Sequence, residues 1–111
     1  MDNKKLADLS YPDAKNIDIW FQKFKPRNLP QGAEVTRFAP SPTGFLHIGG
    51  LFGAFIDATV AKQTGGVCFL RIEDTDEKRK IKNGVEGIIN GFKAFDVGFD
   101  EGKLSIDGDV G

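Results

Sequence analysis

Ile48, Leu51, Phe52, Phe55, Ile56, Thr59 and Val60 recur at i, i+3, i+4, i+7, i+8, i+11 and i+12. That spacing is the repeat of an amphipathic α-helix, and it predicts these seven residues on the buried face. Gly65-Gly66 supplies a left-handed stop. Upstream, "EVTRFA" over residues 34–39 has the Val, Thr and Phe content of a strand and ends at Pro40. Downstream, "VCFLRI" over residues 67–72 is nearly continuous in apolar residues, as a buried parallel strand is. Strand, helix and strand in this order make a parallel βαβ unit with a right-handed crossover. The fold class is therefore α/β.

The flanks are less regular. Ile17, Trp20, Phe21 and Phe24 fall at i, i+3, i+4 and i+7, a helical stripe of two turns that Pro26 and Pro30 end. Trp20 is expected to pack against the domain. A further helix carries Ile81, Val85, Ile88, Ile89, Phe92 and Phe95 on one face. Gly84, Gly87 and Gly91 beside that face either permit close packing or leave the helix marginal alone. The tail "FDEGKLSIDGDVG" reads as turns with no finished element. The chain divides into a leading extension, 1–33, and a domain, 34–111. Two strands cannot cover a parallel sheet on both faces. The chain thus reads as the opening of a larger domain.

Composition removes several function classes. With 111 residues and a formal charge of −1, the chain has no global basic field for nucleic acid. The basic stretches Lys78-Arg79-Lys80 and Lys23 to Arg27 read as solvated faces. Cys68, the sole cysteine, excludes an intrachain disulfide and a multi-cysteine zinc site, and its apolar surroundings predict a buried thiol. The start "MDNKK" is polar with no apolar core after it, so no secretory signal is expected. No stretch suffices to span a bilayer, and a cytoplasmic location is the expectation.

The chemistry is expected at the carboxyl ends of the two strands, where open parallel sheets bind ligands. In "RFAPSPTGFLHIGG", residues Pro40 to Gly44 cannot be helical, and the only histidine, His47, stands at the helix start. Free N–H groups and the helix dipole attract anions there. Gly49 and Gly50 bare the backbone for a flat group. The reading is a nucleotide site with phosphates at His47 and a base near Gly49. A dinucleotide fingerprint fails because Ile48 occupies the first glycine position, and no Walker-type run occurs. Asp74 and Asp76 in "EDTDEK" read as solvated charges or caps, so no metal ligand is assigned.

"RFAPSPTGFLHIGG" followed by "LRIEDTDEKR" resembles the glutamyl-tRNA synthetases, which are class I aminoacyl-tRNA synthetases. The likeness runs from Val35 to about Gly111, with "HIGG" at the His-Ile-Gly-His signature. "SPTG" in place of Glu-Pro-Asn-Gly favours the glutamyl over the glutaminyl branch. The resemblance implies the first part of a Rossmann-like catalytic domain, preceded by a short helical extension. It implies ATP-dependent activation of L-glutamate with Mg2+ present, followed by transfer to tRNA(Glu). No magnesium ligand is assigned.

By the same resemblance, Arg37 would pair a substrate carboxylate, Ala39 line the amino-acid pocket and Ser41 hydrogen-bond the substrate. Glu73 would take the α-ammonium, and His47 would stabilise the phosphoryl transition state. His47, Gly49 and Gly50 would form the ATP side. Gly50 replaces the last histidine of the signature, so that phosphate contact must come from elsewhere. The Lys-Met-Ser-Lys-Ser loop and the tRNA-binding parts of the family are absent. The chain is thus expected to be an N-terminal portion, inactive alone, of an enzyme that is monomeric when whole. Two alternatives stay open: a paralogue that glutamylates a modified tRNA base, of the glutamyl-queuosine type, and a non-catalytic nucleotide-binding module. Separately from those alternatives, the bland reading of Arg37 and Glu73 is an ion pair on the sheet edge.

Overall fold

The computed structural model describes residues 2–43, 46–73, 83–105 and 108. Its elements are α1 (Asn3–Ser10), α2 (Ile17–Lys23), β1 (Val35–Phe38), α3 (Ile48–Thr64), β2 (Val67–Leu70), α4 (Gly84–Ala94) and β3 (Glu101–Gly102). The three strands form one parallel sheet in the order β1-β2-β3. The βαβ unit stands where the pattern puts it. The third strand does not follow from the pattern: the tail read as turns contributes Glu101 and Gly102, opposite Phe69 and Leu70. Asp100 secures it from both sides, its N–H donating to the Cys68 carbonyl and its carboxylate accepting from the Cys68 N–H.

Helix α3 ends in Gly65 at φ 72°, with the Gly66 N–H donating to the Ala61 carbonyl, a left-handed stop of Schellman type. It runs back along the sheet: Gly50 lies beside Phe38, Asp57 beside Thr36, and Thr64 beside Glu34. Which face it buries corrects the sequence reading. Ala54 and Ala61 are the buried residues, whereas Ile48, Phe52, Phe55 and Ile56 are exposed. Small side chains let a helix lie close on a sheet, and this helix, apolar on nearly every side, uses its small side.

The core gathers Ala54, Leu70, Ile88, Phe92 and Val97. Phe92 meets Phe38 and Phe99 edge-on, with ring centroids 5.6 and 5.0 Å away. Three of the predicted α4 face residues, Ile88, Ile89 and Phe92, are buried; Phe95 is exposed, and Ile81 lies outside the described residues. Cys68 is buried, and that burial raises its thiol pKa, which keeps it protonated.

Residues 2–33 hold two helices with no buried residue. Helix α1 did not emerge from the pattern; its Asp2 carboxylate caps the N–H groups of Lys4 and Lys5 at 2.6 and 3.1 Å. Trp20 does not pack against the domain as expected. It is exposed, stacks on Phe24 at 6.1 Å, and has the ammonium groups of Lys15 and Lys23 near its ring. The segment is fastened at its end, where the Arg27 guanidinium grips Glu101 through two bonds of 2.9 and 2.6 Å.

Candidate functional site

Four residues read as glutamate-binding share one edge of the sheet. β1 and β2 pair in the register Arg37 to Phe69 and Phe38 to Leu70. Two further bonds extend the ladder: the Arg71 N–H donates to the Phe38 carbonyl at 2.9 Å, and the Glu73 N–H to the Pro40 carbonyl at 3.0 Å. Each step advances two residues on both strands, so Ala39 lies opposite Arg71 and Ser41 opposite Glu73. Neighbouring strands stand about 4.8 Å apart.

Side chains alternate along a strand, which sorts these residues by face. Thr36 and Phe38 face α3: the Thr36 hydroxyl donates to the Asp57 carbonyl, and the Phe38 ring lies by Gly50. Arg37, Ala39 and Ser41 therefore fall on the other side, with Phe69, Arg71 and Glu73.

The charges divide unequally. Arg37 is exposed and makes no ion pair among the described residues. Glu73 pairs with Arg71, Nε to Oε1 at 3.6 Å, so the ion pair of this sheet edge does not involve Arg37. Arg71 was missed in the sequence, although it stands two residues before Glu73 and hence on the same side. A pair this exposed is worth at most about 1 kcal/mol, so Glu73 remains available to a ligand cation.

His47 is the N-cap of α3. Its Nδ1 accepts the Gly49 N–H at 3.0 Å, satisfying one of the unpaired donors of the first turn. With Nδ1 accepting, the neutral imidazole carries its proton on Nε2, which is left as a donor. A Cβ at Gly49 would come within 3.1 Å of that Nδ1. Gly50 differs: a Cβ there would face Phe38 and Leu46, at 3.5 and 3.6 Å, toward the sheet. Because α3 starts beside Phe38 and ends beside Glu34, His47 stands at the carboxyl edge, as Glu73 does.

Gly44, Asp74, Asp76, the run Lys78-Arg79-Lys80 and the final "DVG" lie outside the described residues. Among the described residues no three of His, Cys, Asp or Glu gather where they could hold a metal ion. No helix among them is long and apolar enough to cross a membrane.

The family described as tRNA synthetases class I (E and Q), catalytic domain, matches residues 34–106. The chain belongs to that family. This class I synthetase chain is 50% identical over 113 residues to the glutamate–tRNA ligase of Acetivibrio thermocellus, covering 100% of itself and 20% of that protein. Against the glutamate–tRNA ligase of Clostridium perfringens it is 45% identical over 103 residues, covering 92% and 19%. The crystal structure of glutamate–tRNA synthetase from Elizabethkingia anophelis superposes with a TM-score of 0.62 at 42% identity, over 64% of this chain and 14% of that one. The parallel sheet is thus that of a class I synthetase catalytic domain. The synthetase chain spans about a fifth of the length of the relatives it matches.

Proposed function

We propose that this chain supplies the glutamate- and ATP-facing edge of a glutamate–tRNA ligase. The observation that supports this is the extended register, which brings Arg37, Ala39, Ser41 and Glu73 to one side of an edge that His47 also reaches. The Glu73 carboxylate takes the α-ammonium of glutamate, and the guanidinium of Arg37, which makes no ion pair among the described residues, takes a carboxylate through its two-pronged fork. Ser41 adds a hydrogen bond, and Ala39 leaves room beside it.

The α-carboxylate oxygen of glutamate then attacks the α-phosphorus of ATP. A carboxyl–phosphorus bond forms as the bond to the bridging oxygen breaks, and pyrophosphate leaves. The His47 Nε2–H donates to a phosphate oxygen as charge builds there, and the Nδ1 cap holds the ring in place. Gly49 admits the adenine beside the first turn. Magnesium would neutralise phosphate charge in such a reaction, and among the described residues no three of His, Cys, Asp or Glu gather to hold it. Transfer of the glutamyl group to the terminal adenosine of tRNA(Glu) belongs to the complete enzyme.

Arg37→Ala in the complete enzyme tests the reading. Glutamate-dependent ATP–pyrophosphate exchange in the presence of tRNA should lose about 30- to 1,000-fold in kcat/KM for glutamate, the cost of truncating one partner of a charged pair. The KM for ATP should stay within about threefold, because Arg37 is assigned no phosphate contact. Equal losses for both substrates would remove Arg37 from the glutamate pocket.

A further inference from the structure

Two of the three glycines on α4 meet the segment that carries Ser41 and His47, and one does not. Gly84 opens the helix and is buried. A Cβ there would stand 2.6 Å from the Pro42 carbonyl oxygen and 3.1 Å from the Pro42 Cβ. The nearest of those atoms is backbone, which cannot swing aside as a side-chain end can. Pro42 itself is among the largest fully buried side chains. Seven residues on, Gly91 returns to the same face, since two turns bring position i+7 back over i. A Cβ at Gly91 would stand 3.3 Å from Leu46 Cδ2 and 3.6 Å from Leu46 Cβ. Gly87 points elsewhere and meets nothing within 4 Å.

We propose that Gly84 and Gly91 are positioning residues: the bare backbone of α4 forms a two-point seat for Pro42 and Leu46, and this seat fixes Ser41 and His47. Pro42 adjoins Ser41 and Leu46 adjoins His47, so each contact lies one peptide unit from a proposed site residue. The seat is firm, because Ile88, Ile89 and Phe92 bury α4 between its two ends. The start of α4 makes no capping bond of its own, Asn83 standing at φ 62° with its side chain unbonded to the helix. Helix glycines weaken a helix; at 84 a methyl group would meet Pro42 backbone, whereas at 91 it would press on the end of the Leu46 side chain.

The placement of His47 needs no assumption about function, whereas its effect on rate rests on the reading proposed above. The two are therefore measured separately. His47 is the single histidine of the 111-residue chain, so its imidazole gives one isolated set of 15N and 13C resonances. Gly84→Ala is expected to move those resonances and weaken the Nδ1-acceptor signature. Gly91→Ala should move them less, and the double variant Leu46→Ala/Gly91→Ala should bring them back. Gly87→Ala should leave them in place.

In the complete enzyme, Gly84→Ala should lower kcat for adenylate formation about 10- to 100-fold, as a small misplacement of reacting groups does. The KM for ATP should stay within about threefold. Unmoved His47 resonances in both Gly84→Ala and Gly91→Ala would overturn the seat. Should Gly84→Ala fail to fold, Gly91→Ala and its double variant decide the matter. Moved resonances with an unchanged kcat would uphold the seat and overturn the role given to His47.

Discussion

Helices α3 and α4 are both rich in apolar residues and both pack beside the same sheet, yet they bury opposite kinds of side chain. α4 buries its large residues, Ile88, Ile89 and Phe92. α3 buries Ala54 and Ala61 and leaves Ile48 69%, Phe52 65% and Phe55 55% exposed. The difference lies in distance. α3 lies along β1 and β2, where the Thr36 hydroxyl reaches its Asp57 carbonyl and only small residues fit between. α4 fills the space around Phe38 and Phe99, which has room for an aromatic ring. The large residues of α3 instead line an open apolar groove of about 560 Å³ with Phe95 and Val97. The periodicity of large side chains marks where apolar area lies along a helix, not which face a sheet will accept.

The widest test of this contrast pairs two phenylalanines. Phe92→Ala should cost about 3–5 kcal/mol in urea denaturation, the usual loss for a buried ring. Phe52→Ser should stay within about 0.5 kcal/mol, as an exposed substitution does. Similar losses at both positions would erase the distinction between the helices. A second test works from the small face. Ala54 is 0% exposed, so Ala54→Leu should overpack the contact with the sheet and cost about 1–3 kcal/mol by the same measurement. A neutral result would mean that α3 can lift away from β1 and β2.

The sequence showed the frame of the fold well and its faces poorly. Residues 34–39 and 67–72 were legible as strands because β-branched and aromatic residues cluster there, the first stopped by Pro40 and the second begun after Gly65-Gly66. The ladder bonds of Arg71 and Glu73 carry the pairing of β1 and β2 one residue past those bounds. β3 was illegible: two residues have no period, and Glu101 and Gly102 pair only because Phe69 and Leu70 present an open edge. The α1 helix was missed because its cap, Asp2, precedes no apolar stripe.

Among the candidate site residues, Arg37, Ala39, Ser41 and Glu73 were named from motif likeness, whereas the stiff loop and helix start had already marked His47, Gly49 and Gly50. The motif cannot convey that Gly49 flanks the imidazole while Gly50 faces Phe38. Arg71 escaped notice although the strand read over 67–72 already contained it, because its alternation with Glu73 was not followed past the end of that strand. The unequal duties of Gly84, Gly87 and Gly91 depend on what approaches each one, and spacing alone does not encode that.

The grip of Arg27 on Glu101 joins residues 74 positions apart, and it makes the leading segment a tether whose clasp answers to acidity. The guanidinium bond holds the Glu101 carboxyl below its ordinary value of 4.5. Its contribution is therefore complete above that value and fades as pH falls through the lower, folded one. Both groups are partly in water, so Glu101→Gln should cost no more than about 1 kcal/mol at neutral pH, and less in high salt. Below the lowered value of the Glu101 carboxyl the variant and parent should denature alike. Acid strong enough to protonate the Glu101 carboxyl is thus expected to unclasp the tether while the apolar interior around Phe92, which contains no buried charge among the described residues, stays shut.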